Sequence, residues 1–212
     1  MKILLVAGGE LDIDVLKNAY NGLDNPYVIG IDRGTLILLE NGIKIDRAIG
    51  DFDSVTDEER EGILSKLDFE KLNPVKDDTD TEHALKYAIS LAPEEIVMLG
   101  CTGRRMDHSL ACVGMLRLAY DAGIEAYIID RYNRIRVARG DVQLSASECY
   151  GKYISILPYG DKARGLSIKG FKYNAEGLDI TAAETRGVSN ELIEEVGSIS
   201  CDDYMIIMET RD

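Results

Sequence analysis

Asp51 and Asp53, two aspartates separated by one residue in Gly50-Asp51-Phe52-Asp53-Ser54, have types and spacing that suggest chemistry. A second acidic run follows in Lys76-Asp77-Asp78-Thr79-Asp80, and Asp32-Arg33-Gly34 precedes both. Carboxylates crowded together without a cation repel one another and are driven to take up protons. A hard divalent ion relieves that repulsion, and Mg²⁺ prefers a few carboxylates together with phosphate oxygens and water. Downstream, Gly100-Cys101-Thr102-Gly103-Arg104-Arg105-Met106-Asp107-His108 supplies what phosphates require. Its glycines let backbone approach closely, and Arg104 or Arg105 offers a planar fork for phosphate oxygens. A helix starting after this loop would present free N–H groups. Together these runs read as a Mg²⁺–nucleotide site. GxxxxGK[ST] and GxGxxG do not occur, so a Walker A loop and a nicotinamide or flavin fingerprint get little support.

The elements that must position these loops are legible from apolar periodicity. Strands are expected at Lys2–Ala7, Tyr27–Ile31, Arg47–Gly50, Phe69–Asn73, Glu95–Leu99 and Glu125–Asp130. Helices are expected between them at Asp12–Asn21, Arg33–Glu40, Asp57–Lys66, Asp80–Leu91 and Asp107–Asp121. Strands alternating with helices imply parallel pairing through right-handed crossovers. Thr56-Asp57-Glu58-Glu59 and Thr79-Asp80-Thr81-Glu82 both fit a capping box. In an open parallel sheet ligands bind beyond the carboxyl ends of the strands, where the acidic and Gly/Arg loops fall. Taken singly, Asp80 and Asp107 also serve as first-turn residues favoured by the helix dipole, and His83 as a packing or surface residue. Co-location of four loops carries the functional reading.

After about residue 131 the texture changes. Short segments such as Tyr153–Leu157, Leu166–Lys169 and Tyr204–Glu209 are separated by Gly, Asn, Asp and Ser, with a turn or two of helix expected at Asn190–Val196. The expected architecture is α/β: a Rossmann-like parallel-sheet domain over residues 1–131, then a small antiparallel β-sandwich over 132–212.

Composition sets outer limits. The chain has 212 residues, 45% hydrophobic and 29% charged, which is enough for a folded core. A net charge of −14 argues against nucleic-acid binding, which relies on Lys and Arg neutralising phosphates. No apolar run reaches the ~18 residues of a membrane span. Met1–Ala7 reads as a buried strand rather than a secretory signal, so the chain is expected to be cytoplasmic. Cys101, Cys112, Cys149 and Cys201 form no CxxC pair and read as reduced thiols.

The ordered set Gly50-Asp51-Phe52-Asp53-Ser54, Lys76-Asp77-Asp78-Thr79-Asp80-Thr81-Glu82 and Gly100-x-Thr102-Gly103-x-Arg105-x-Asp107-His108 resembles the thiamine pyrophosphokinase family. Asp32-x-Gly34 fits as well, and Gly187-Val188-Ser189-Asn190 looks like the GxSN element of that family's C-terminal domain. The resemblance implies pyrophosphoryl transfer from ATP to the thiamine hydroxyl, with Mg²⁺ as cofactor and AMP leaving. It implies a homodimer whose active sites lie between the α/β domain of one subunit and the β domain of the other. Carried over, Asp51, Asp53 and Asp80 hold the metal and share the catalytic role with Arg105. Asp32, Lys76, Asp77, Thr79, Gly103, Arg105, Asp107 and His108 line the nucleotide and phosphate pocket, and Ser189 and Asn190 contact thiamine. Two positions depart from the family pattern: Arg104 stands where it usually has a second Gly, and Cys112 where it often has Asn. Asp51-x-Asp53-x-Val55 also fits the nucleophile motif of haloacid-dehalogenase-type phosphatases. A pterin pyrophosphokinase and a non-catalytic nucleotide binder are further readings at this stage.

Overall fold

The computed structural model describes residues 1–50, 69–71 and 78–212. The helix expected at 57–66, the capping box at Thr56, and Asp51, Asp53, Lys76 and Asp77 lie outside the described residues. The chain divides into two compact units, Met1–Arg131 and Tyr132–Asp212.

In the first unit, strands β1 (Lys2–Val6), β2 (Tyr27–Ile31), β3 (Arg47–Gly50), β4 (Phe69–Lys71), β5 (Glu95–Leu99) and β6 (Glu125–Ile129) pair in parallel. Helices α1 (Ile13–Gly22), α2 (Arg33–Glu40), α3 (Asp80–Ser90) and α4 (Met106–Asp121) alternate with them. Ile3, Leu4, Leu5 and Val6 are all fully buried, the signature of a strand covered on both faces. Strand order is β6-β5-β1-β2-β3-β4. The chain therefore winds outward from β1 through β4, then returns to β1's other side for β5 and β6. That reversal puts the crevice between the carboxyl ends of β1 and β5, where open α/β sheets bind ligands.

Two helix starts are held by short polar side chains. The Asp12 carboxylate accepts from the backbone N–H of Asp14 at 2.9 Å and of Val15 at 3.2 Å. Thr79 Oγ1 accepts from the Glu82 N–H at 3.2 Å, one half of the expected capping box. Leu4, Val6, Leu16, Leu38 and Leu99 form the core between sheet and helices.

The second unit is antiparallel throughout its described pairings: β7 (Asn133–Ser145), β8 (Tyr153–Pro158), β9 (Lys162–Lys169), β10 (Ala175–Thr181), β11 (Asn190–Glu191) and β12 (Val196–Thr210). β12 pairs with β7 along its length, with β9 through Ser198–Ser200 and with β8 through Met205–Thr210. A register shift between Cys201 and Met205 lets one strand serve both neighbours. Ile154, Ile156, Leu166, Phe171, Ile199 and Ile207 lie in its core.

Two expectations are corrected here. Tyr153–Leu157 and Leu166–Lys169 lie in strands of 6 and 8 residues, but Tyr204–Glu209 belongs to a strand of 15, because the Cys201–Met205 shift bends β12 without ending it. No helical turn forms over Asn190–Val196; Asn190 and Glu191 pair with Ile154 and Tyr153 instead, and Val196 opens β12. The fold is α/β, with parallel and antiparallel pairing. No helix among the described residues is long and apolar enough to cross a membrane.

Candidate active site

The loops leaving β1 and β5 are bonded to each other across the crevice. The Ala7 N–H donates to the Leu99 carbonyl at 2.9 Å, Gly9 N–H to Gly100 carbonyl at 2.9 Å, and Glu10 N–H to Thr102 carbonyl at 3.0 Å. This extends the β1–β5 neighbour relation past the strands and into the Gly/Arg loop. The approach is close because Gly9 has no side chain: a Cβ there would stand 2.3 Å from the Gly100 oxygen. Gly100 itself has φ +66°, a left-handed conformation suited to glycine. Thr102 is fixed from the other side, its hydroxyl donating to Asp130 Oδ2 at 2.8 Å. Asp130 follows β6 and thus sits on the same sheet edge. Spacing alone does not reveal its link to Thr102, although an acid closing a parallel strand is a usable signal.

Asp32 follows β2 with φ 47° and ψ −122°, a sparsely populated region for a residue with a Cβ. Its N–H donates to the Ile49 carbonyl at 3.1 Å, and its carboxylate lies against Gly50, where an added Cβ would be 2.0 Å from Oδ1. The structure thus brings Asp32 to the residue immediately before the Asp51–Asp53 loop. Asp80 occupies the first turn of α3, partly buried, at the positive end of the helix dipole. Thr79 is spent on its cap. Asp78 is bound to Lys86 Nζ at 2.7 Å, which also meets Glu82 at 2.8 Å. That ammonium hydrogen bond holds the Asp78 carboxyl below its usual range.

Arg105 precedes α4 and forks onto Asp107, with Nε to Oδ1 at 3.2 Å and Nη2 to Oδ2 at 2.5 Å. The two hydrogen bonds from Arg105 lower the Asp107 pKa to about 2. Both side chains are about two-thirds exposed, at 67% and 65%. An exposed pair of this kind is weak, so a phosphate can compete for the same fork. Gly103, Arg104 and His108 are exposed beside it. Cys112 is buried on α4, and buried Cys101 in the loop donates its thiol to the Leu99 carbonyl at 3.7 Å. The neighbouring Cys112 thiol and burial push the Cys101 thiol's pKa up. The Asn-to-Cys departure therefore lies beneath the Gly/Arg loop.

In the second unit Ser189 and Asn190 are adjacent but face opposite ways. Ser189 is exposed, with φ 58°, and its N–H donates to the buried Ser155 hydroxyl at 3.0 Å. Asn190 is buried, and its carboxamide holds the backbone of Tyr173: Oδ1 accepts from the Tyr173 N–H at 3.0 Å and Nδ2 donates to its carbonyl at 2.8 Å. Ser155 and Tyr173 are supporting residues that no motif spacing points to. Among the described residues no group of three or more His, Cys, Asp or Glu side chains is disposed to hold a metal, and Asp51 and Asp53 lie outside them.

Comparison with known proteins gives these loops a context. Residues 23–128 match the model of the thiamin pyrophosphokinase catalytic domain, and residues 134–206 match that of the thiamin pyrophosphokinase vitamin B1 binding domain. The chain is 34% identical to the thiamine pyrophosphokinase of Bacillus subtilis (strain 168), covering 97% of this chain and 96% of that one. The crystal structure of the thiamine pyrophosphokinase from Bacillus subtilis superposes with a TM-score of 0.89 at 31% identity, covering all of both chains. That of the thiamin pyrophosphokinase from Geobacillus thermodenitrificans gives 0.87 at 30% identity, covering 100% of this chain and 98% of that one. With both domain models matched in order and a relative aligned over nearly its full length, the chain belongs to the thiamine pyrophosphokinase family.

Proposed function

We propose that this protein is a thiamine diphosphokinase, transferring pyrophosphate from ATP to the hydroxyl of thiamine to give thiamine diphosphate and AMP. The observation that carries the reading is the bonded pair of loops at the β1–β5 crevice, ending in Arg105, within a chain that matches both domains of the family. Attack by the hydroxyl on the β-phosphorus needs alignment and charge neutralisation more than covalent help. Arg105 leaves its exposed partner Asp107 to meet the phosphates, while Gly103, Thr79 and His108 border them. Asp32, Lys76 and Asp77 complete that pocket.

A carboxylate set suits a hard cation, and Asp80 at a first helical turn fits such a role. Asp51, Asp53 and Asp80 would hold Mg²⁺, which when bound offsets negative charge on the phosphate oxygens. Residues 1–131 carry a net charge of −11, a field that favours the thiazolium cation of thiamine. We read the first unit as a Rossmann-like catalytic domain and the second as a β-sandwich that takes thiamine at the Ser189–Asn190 segment, where Ser189 is the exposed side chain. The working form is a cytoplasmic homodimer with active sites at the subunit interface. The reading is supported by the family membership and by the placement of the loops at the carboxyl edge of a parallel sheet.

The test is a product assay with purified protein, ATP, Mg²⁺ and thiamine. AMP and thiamine diphosphate are expected in equal amounts, and only when both Mg²⁺ and thiamine are present. ADP, free phosphate or thiamine-independent turnover would overturn the reading.

A further inference from the structure

Asn190 looks from sequence like a substrate contact, and its surroundings indicate a different role. It is only 5% exposed, and its carboxamide makes three hydrogen bonds within the unit. Oδ1 accepts from the Tyr173 N–H at 3.0 Å and from the Glu191 N–H at 2.9 Å, and Nδ2 donates to the Tyr173 carbonyl at 2.8 Å. An amide that both accepts from and donates to one residue's backbone acts as a strand neighbour would. The same turn is closed by the Phe171 N–H, which donates to Asn174 Oδ1 at 3.1 Å, and is tied to β11 by the Lys172 N–H on the Glu191 carbonyl at 2.8 Å. Ser189, next in the chain, keeps a left-handed backbone and an exposed side chain.

We propose that Asn190 is a positioning residue for the thiamine site and not a contact of it: its carboxamide locks the Phe171–Asn174 turn to β11, and this lock sets the backbone that presents Ser189. The proposal rests on the reading of the second unit as the thiamine-binding unit. Asn190 is buried because it substitutes for missing sheet pairing, while Ser189 is the member of the pair whose side chain reaches outward. Losing the lock leaves the Tyr173 N–H and carbonyl without their side-chain partner, so the turn moves to recover hydrogen bonds elsewhere. Binding of thiamine then weakens, while the nucleotide loops of the first unit are untouched.

The experiment is steady-state kinetics on the full chain, with thiamine and ATP varied separately, for Asn190→Ala, Asn190→Asp, Asn174→Ala and the double variant Asn190→Ala/Asn174→Ala. Each single change is expected to raise KM for thiamine about tenfold, in line with loss of one hydrogen-bonded lock. KM for ATP and kcat are expected to stay within about twofold, since uniform binding alone is lost. The double variant should be no worse than Asn190→Ala, because both changes free one turn. Asn190→Asp sharpens the distinction. It keeps both acceptor bonds but places a carboxylate oxygen against the Tyr173 carbonyl, whereas a direct contact to a cationic thiazolium would gain from the charge. A lower KM for thiamine in Asn190→Asp, multiplying effects in the double variant, or an unchanged KM in Asn190→Ala would each overturn the proposal. Near-UV circular dichroism checks folding. If Asn190→Ala does not fold, Asn174→Ala decides: a rise confined to the thiamine KM supports the lock, and no rise overturns it. Failure of the underlying reading looks different, since the unaltered chain would then form no AMP in response to thiamine, and the proposal would fall with it.

Discussion

Gly9→Ala should damage stability and turnover together, and the structure sets the size of both effects. The added Cβ would lie 2.3 Å from the Gly100 oxygen and 2.7 Å from the Thr102 oxygen, where contacts under 3.0 Å are essentially never seen. The β1 and β5 loops must therefore separate by about 0.7 Å at the first of these contacts. The Gly9–Gly100 hydrogen bond, 2.9 Å long, would then stretch to about 3.6 Å and cease to be one. The Glu10–Thr102 bond, 3.0 Å long, opens with it. Two backbone bonds at about 1 kcal/mol each, plus residual strain, give a loss of about 2–3 kcal/mol. For a chain of this length that is a fall in Tm of about 5–10 °C. A displacement approaching 1 Å in a loop that positions phosphates costs about 100-fold in kcat/KM. Calorimetry and the AMP assay read the two effects. Gly22→Ala is the control, since a Cβ there meets nothing within 4 Å and should leave Tm unchanged or slightly higher. A Gly9→Ala protein with the Tm and kcat/KM of the unaltered chain would refute the claim that these bonds hold the loop.

Three further outcomes follow from the same structure. Asp51→Asn should lower turnover at least ~100-fold while shifting Tm by no more than about 2 °C, and normal activity would exclude a metal role for Asp51. Asp107, held at about 2 by Arg105, gains from being charged. That contribution is fully present above the ordinary value of 3.8 and is lost as pH falls through about 2. NMR titration should show its midpoint rising toward 3.8 in Arg105→Ala, and an unmoved midpoint would show that Arg105 is not the cause. Glu209 is 1% exposed and accepts from Arg134 Nε at 3.0 Å, Arg134 Nη2 at 2.6 Å and the Tyr150 N–H at 2.9 Å. Glu209→Ala should destabilise the second unit by about 3 kcal/mol, the low end for a broken buried pair because Arg134 keeps some solvent. Urea unfolding followed by tyrosine fluorescence measures it, and an unshifted midpoint would refute the assignment.

Much of the first unit was legible because its information is local. The apolar runs at Lys2–Val6 and Glu95–Leu99 are buried on both faces, so they announce themselves without reference to their neighbours. The caps at Asp12 and Thr79 act within one helical turn, and the family's motifs are short and ordered. The second unit was less legible. Gly140 and the acids at Asp202 and Asp203 interrupt the alternation of β7 and β12, and reading along the chain cannot tell a bend from an end.

What the sequence determined by itself is which residue types are available, which faces are apolar, and the order of motifs that identifies the family. Only the tertiary structure decided which strands are neighbours, and so that Gly9 meets Gly100 and that Asp32 lies against Gly50. It also decided the partners: Arg105 with Asp107, Thr102 with Asp130, and Asn190 with the Tyr173 backbone. The reason is physical. Periodicity records how a segment meets water, a property of the segment alone. The partner of a polar side chain depends on where a distant backbone lands, and an asparagine is equally suited to a ligand or to a buried turn until that backbone is in place.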